Sequence, residues 1–204
     1  MDVREVIGKT LTKVFKTSSE RYVKNRIDFV AQINEWEAEL AVLTDEQLRA
    51  KTDEFRRRIE QNLTQALDRS LREHLKELVL MPEEGRKPAK QHLTNVLQEC
   101  TAEVVTEAFA VVRETSDRHL GMRNVFDEQY NFDPSILSSE MRQVYDQVKQ
   151  WVVDGEDVHK IPLPPQFYAE LREHYDANER PPFRFRHFDV QMIGGHALYE
   201  GKIA

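Results

Sequence analysis

Two long apolar stripes separated by one proline-glycine break constrain this chain more than any other feature. Leu48, Phe55, Ile59, Leu63, Leu67, Leu71, Leu75 and Leu78 recur at helical spacing until Met81-Pro82-Glu83-Glu84-Gly85 interrupts them. Leu93, Leu97, Cys100, Val104, Ala108, Val111 and Thr115 then trace a second helix, with Gly121 placed as a C-terminal cap. The two helices are expected to pair as an antiparallel hairpin. Thr44-Asp45-Glu46-Gln47 has capping-box spacing and starts the first of them. Upstream, Val23, Ile27, Val30, Ile33, Trp36, Leu40 and Leu43 form another stripe. With only seven glycines in 204 residues and long runs of good helix formers, the chain reads as mainly α. Its 40% hydrophobic content is low for a large compact core.

Charge divides the chain unevenly. The net charge is −7, yet residues 1–26 carry seven basic and three acidic side chains, so the remainder holds −11. Val3, Val6, Ile7, Leu11, Val14 and Phe15 would form one apolar face beside Lys9, Lys13 and Lys16. Such a helix over residues 1–20 suits an acidic phospholipid surface or a partner groove, and equally a terminal helix docked on its own domain. No apolar run reaches the length of a membrane span, and Met1–Glu5 has no signal-peptide pattern. The lone Cys100 sits on an apolar stripe and reads as a core residue in a reducing compartment. A cytoplasmic location, in places against a membrane surface, is the expectation. No nucleic-acid partner is expected.

Residues 124–185 change character. Asp133-Pro134, Asp154-Gly155, Pro162, Pro164-Pro165 and Pro181-Pro182 punctuate two short amphipathic segments, one with Met141, Val144, Tyr145, Val148 and Trp151, the other with Phe167, Leu171 and Tyr175. This stretch reads as an inserted subdomain of short helices and loops.

Most candidate motifs fail on spacing. Gly8-Lys9-Thr10 resembles the end of a phosphate loop, but the first glycine of that motif would fall on Val3. None of the seven histidines forms HExxH or pairs with the cysteine, so no metal site is expected. No nucleophile elbow is visible, and no catalytic residue is assigned.

Arg186-His187-Phe188-Asp189-Val190-Gln191 is different. A glutamine amide offers an acceptor and a donor pair that together match the N6 amino group and N7 of adenine, whereas guanine would face acceptor with acceptor. Phe188 adds a flat apolar contact. The same segment also fits a turn feeding a packed helix over Val190–Leu198.

Five blocks carry a resemblance: Leu11–Phe15, Leu43–Phe55, Glu107–Glu114, Gly121-Met122-Arg123 and Arg186–Gly195. Their order resembles that of SecA, the bacterial preprotein translocase ATPase, with residues 61–100 and 124–185 standing as insertions. The resemblance implies a motor that couples ATP hydrolysis to passage of secretory preproteins through the SecYEG channel. It implies Gln191, Phe188 and Met122 beside adenine, with Arg186 replacing Arg123 as the arginine of the split block. It also implies acidic phospholipid and homodimer contacts for residues 1–20. Lys202-Ile203-Ala204 would open the first strand of an incomplete RecA-like α/β nucleotide-binding domain. The phosphate loop and magnesium-binding residues of that family are not among these 204, so ATP or ADP with Mg²⁺ is expected to bind weakly and not to be hydrolysed by the chain alone. The expected organisation is a basic helix over 1–20, a helical region over 21–123, an inserted subdomain over 124–185, and the start of the nucleotide-binding domain over 186–204. A truncated gene product is one expectation; a non-enzymatic helical module that binds lipid, the channel or SecA itself is the alternative.

Overall fold

The computed structural model describes residues 18–66, 76, 80, 82–176 and 182–202. The expected basic helix therefore lies outside the described residues except for its last three, as do Leu67, Leu71, Leu75, Leu78 and the Ile203-Ala204 end of the expected strand. Among the described residues the fold is mainly helical and holds no strand. The elements are α1 (Ser18–Lys24), α2 (Ile27–Ala41), α3 (Asp45–Ala66), α4 (Glu83–Ser116), α5 (Ser139–Val153), α6 (Pro165–His174) and α7 (Asp189–Tyr199). By Cα proximity the chain divides into two compact units, Met1–Gln32 with Phe188–Ala204, and Ile33–His187.

In the Ile33–His187 unit, α3 begins where capping chemistry places it. The Thr44 hydroxyl accepts from the Gln47 N–H at 3.2 Å while the Gln47 side chain accepts from the Thr44 N–H at 2.8 Å, so two otherwise orphaned donors are satisfied reciprocally. Polar pairs then run antiparallel up the hairpin: Lys51 and Arg58 with Glu107, Arg58 with Glu103, and Asn62 with the Cys100 carbonyl. As the α3 residue number rises, its α4 partner falls, which fixes the direction of pairing. Cys100, Val104 and Val105 are buried against this seam, as the apolar stripe requires.

Two expectations about α4 need correction. The helix starts at Glu83, immediately after Pro82 and ahead of its apolar stripe, because proline fixes its own φ and stands outside the helix as the N-cap. Nor does Gly121 cap a C-terminus. The helix widens into a π turn over Asp117–Gly121, where Gly121 has φ −116° rather than a left-handed conformation. Glycine is needed there because a Cβ would lie 2.5 Å from the Phe185 nitrogen and under 3 Å from the Arg184 backbone. The sequence shows a helix-end glycine; the crossing segment that demands it lies sixty residues downstream.

Residues 122–171 supply a second apolar core. Met122, Val125, Phe126, Met141, Tyr145, Val148, Phe167, Tyr168 and Leu171 are buried together, and Phe126 stacks between Tyr145 and Phe167 at 5.3 and 5.7 Å. Ser138 caps α5 by accepting from the Met141 N–H, and its own N–H and hydroxyl both donate to Glu170 of α6 at 2.8 Å. One carboxylate thereby ties the start of α5 to α6.

Candidate functional site

The terminal unit presents the segment singled out for adenine. Phe188 precedes α7 with extended backbone angles, and Gln191 sits in the first turn. The Gln191 Oε1 accepts from the Phe188 N–H at 2.8 Å. This is half of a capping box, since phenylalanine has no side-chain acceptor to return the bond. The bond fixes which end of the carboxamide faces the backbone. Gln191 is exposed and Phe188 half-buried, so the Nε2 donors and the second lone pair of Oε1 are turned to a ligand-accessible surface.

A polar cluster anchors the other end of α7. Glu200 accepts from Tyr22 at 2.8 Å and Lys202 at 2.7 Å and pairs with Arg26, while His196 packs on Phe29 with ring centroids 4.2 Å apart. Burial raises the Glu200 carboxyl, but the hydrogen bonds from Lys202 and Tyr22 and the charges of Arg26 and His196 outweigh it and bring it to about 2. A carboxylate lowered by folding stabilises the fold fully above its unfolded pKa. That contribution is lost as pH falls from about 4.5 toward 2. NMR titration of Glu200 should show a midpoint near 2, and Glu200→Gln should flatten acid unfolding of this unit; a midpoint near the ordinary glutamate value would refute the assignment.

In the Ile33–His187 unit the structure places Met122 in the apolar core with no exposed surface. Arg186 forks onto Glu37, Nε to Oε1 at 2.9 Å and Nη2 to Oε2 at 2.7 Å, and reaches Asn34 at 3.1 Å. The four candidates thus fall two and two: Phe188 and Gln191 in one unit, Met122 and Arg186 in the other.

Beside Arg186 lies a buried network that sequence reasoning did not assemble. Arg118, on the π turn, donates to the carbonyls of Leu40, Ala41 and Leu43, to Asp45 at 3.0 Å and to Glu114 at 2.6 Å, and lies 4.5 Å over the Tyr168 ring. It therefore caps the C-terminus of α2 and holds the N-terminus of α3 with one planar group. Asp45 also accepts from Arg123 at 2.6 Å and Tyr168 at 2.9 Å. Burial raises its carboxyl, yet the bonds from Arg118 and Tyr168 and the charge of Arg123 hold it below the usual carboxylate range. Asp117, one residue before Arg118, is clasped by Arg184 and by the Phe185 N–H at 2.8 Å. Of the buried arginines, the blocks of resemblance held only Arg113 and Arg123; Asp117, Arg118 and Arg184 lie outside them, and no local signal pointed to their pairing.

Among the described residues no group of three or more metal-ligating side chains converges, and no helix is long and apolar enough to cross a membrane. The elements and their anchors define a class first: among the described residues, a helical region built around a buried arginine network, with an exposed glutamine in the first turn of α7. Residues 11–137 match the SecA DEAD-like domain, and the chain belongs to that family. Protein translocase subunit SecA of Acidobacterium capsulatum is 40% identical over 124 residues, 61% of this chain and 10% of the relative. The subunit of the same name from Cytophaga hutchinsonii is 26% identical over 205 residues, 95% of this chain and 16% of the relative, a match that runs through residues 124–185. That of Caulobacter vibrioides is 38% identical over 117 residues, 57% of this chain and 9% of the relative. No solved structure matches the chain significantly. The chain thus spans 9–16% of the length of these relatives.

Proposed function

We propose that this chain supplies the N-terminal helical region and the adenine-reading segment of a SecA-type motor, which couples ATP binding and hydrolysis to movement of preproteins through the SecYEG channel. The observation that carries the reading is Gln191, exposed on the first turn of α7 with its carboxamide oriented by the Phe188 N–H. Family membership and the printed name of the relatives, Protein translocase subunit SecA, support it. Gln191 would accept from the adenine N6 amino group through its remaining lone pair and donate to N7 through Nε2, while Phe188 covers the ring. Met122 and Arg186, which the resemblance also assigns to the nucleotide, lie in the Ile33–His187 unit, Met122 in the apolar core and Arg186 forked onto Glu37. The bound nucleotide, with Mg²⁺, supplies the phosphoryl-transfer energy of the motor. On this reading residues 186–204 open a RecA-like domain, and because phosphate-loop and magnesium-binding residues of that family are not among these 204, the 204 residues by themselves are expected not to hydrolyse ATP.

The basic residues 1–20 are proposed to face acidic phospholipid at the cytoplasmic side of the inner membrane and to contribute to self-association, on the strength of their charge and apolar spacing.

The test is ADP–Mg²⁺ calorimetry on this chain and on a longer chain continuing through the following domain, with Gln191→Ala and Gln191→Glu. Gln191→Glu keeps the acceptor for the Phe188 N–H but presents a second acceptor to N7. Binding is expected only in the longer chain, weakened about tenfold or more by Gln191→Glu, a loss of roughly 1.4 kcal/mol, with no fall in melting temperature. Unchanged affinity in Gln191→Glu would remove the adenine assignment. Absence of binding in both chains would leave the helical interaction module as the better reading.

A further inference from the structure

We propose that His196 is an acid-sensitive latch on the α1–α2 turn: its neutral ring holds Arg26 against the last turn of α7, and protonation at mildly acidic pH expels Arg26 and loosens α1. The whole latch lies within the unit formed by Met1–Gln32 and Phe188–Ala204, on the helix that carries Gln191 in its first turn.

Hydrogen-bond directions fix the protonation state. The Arg26 Nε–H donates to the His196 Nδ1 at 3.2 Å, and a guanidinium has no acceptor to offer in return. Nδ1 therefore carries a lone pair, and the ring is neutral with its proton on Nε2. A proton on Nδ1 would set two N–H groups and two positive charges face to face. Tyr22 and Glu200, whose oxygens lie 3.3 and 3.7 Å from Nδ1, can accept from a protonated ring. Arg26 cannot, so it is the contact that must leave.

The surroundings decide where in pH this happens. The ring faces Tyr22 from α1, Arg26 from the α1–α2 turn, the Phe29 ring from α2, and Tyr199, Glu200 and Lys202 from its own segment. Two of these groups are cations and one is a carboxylate. Burial holds the imidazole below its ordinary value of 6.5; Glu200 opposes this, and Arg26 and Lys202 add to it. The unfolded chain thus takes up the proton more readily than the folded one. The stability that the latch contributes is complete above about 6.5 and is lost as pH falls below it. The loss tied to the Glu200 carboxyl begins only below about 4.5, so the two windows are separate.

NMR of the full chain between about pH 8 and 5 tests the latch. At the upper end the His196 Nδ1 should resonate as an unprotonated ring nitrogen. Its titration midpoint should fall below 6.5, with the Arg26 Nε–H signal moving along the same curve. Amide protection across α1 should drop by up to about tenfold per pH unit in that window. His196→Asn keeps an acceptor for Arg26 but cannot titrate, and should abolish that dependence. Should this variant fail to fold, Arg26→Met carries the test: with the opposing donor removed, the His196 midpoint should rise toward 6.5. The proposal is overturned by a wild-type midpoint at or above 6.5, by a midpoint unmoved in Arg26→Met, by a proton on Nδ1 of the neutral ring, or by a pH dependence that survives in His196→Asn. Gln191 variants should leave the His196 titration unchanged, so failure of the adenine assignment and failure of the latch read separately.

Discussion

Arg118→Met is expected to destabilise the Ile33–His187 unit by about 3–5 kcal/mol, the loss that follows when one member of a buried ion-pair network is removed. Five acceptors depend on this side chain, three of them carbonyls at and just after the end of α2. Methionine fills much of the volume but donates nothing, so the Leu40, Ala41 and Leu43 carbonyls lose their shared partner. Asp45 keeps Arg123 and Tyr168, and Glu114 keeps Arg172, which bounds the loss. For a domain of this size the change corresponds to a fall in melting temperature on the order of 10 °C. Arg118→Lys should lie between wild type and Arg118→Met, since a point charge cannot reach three carbonyls and two carboxylates together. A double-mutant cycle with Asp45→Asn should give a coupling of about 1–3 kcal/mol. Urea unfolding of the four proteins decides it; additive effects would mean that the Arg118–Asp45 pair carries no coupling and that the loss comes from the carbonyls and Glu114.

The helical framework was legible in the residues because its causes are local. The Thr44–Gln47 box is written in four consecutive positions and is present as read. The hairpin follows from two stripes whose apolar period forces each helix to bury one face, and Cys100 is buried with its neighbours. The α7 helix runs close to the span that its pattern gave. What stayed hidden depends on long-range pairing. Nothing near Arg118 in the chain announces that it ends a helix more than seventy residues earlier, and nothing near Asp117 announces Arg184. Periodicity finds apolar faces, whereas an arginine on such a face reads as solvated until its acceptors are known. The candidate adenine segment was legible as chemistry in Gln191. The capping bond that orients its amide needed coordinates, because phenylalanine at the N-cap is not a residue that capping rules would nominate. Met122 shows the opposite limit: a residue chosen from a block of resemblance has its side chain in the core.

Gly121→Ala is expected to cost about 3 kcal/mol or more, although its backbone angle does not forbid a side chain. At φ −116° alanine is sterically allowed in isolation. The cost comes from contact, since the added Cβ would lie 2.5 Å from the Phe185 nitrogen, 2.8 Å from the Arg184 carbonyl carbon and 2.9 Å from its Cα. All three are backbone atoms, which cannot rotate away as a side-chain tip would. Relief requires moving the Arg184–Phe185 segment, and that segment carries both donors to Asp117: the Arg184 guanidinium and the Phe185 N–H. Overpacking costs typically about 1–3 kcal/mol, and loosening a buried carboxylate from its partners adds to it. The consequence is local before it is global. The Phe185 amide should lose protection from hydrogen exchange, and Arg184 should loosen before α3 and α4 do. Gly194→Ala is the matched control, because its Cβ would meet nothing within 4 Å on α7; it should raise stability by about 0.5–1 kcal/mol through helix propensity. If Gly121→Ala unfolds at the same denaturant concentration as wild type, residues 184–185 do not cross the π turn as closely as described, and the anchor for the segment leading to Phe188 must be sought elsewhere.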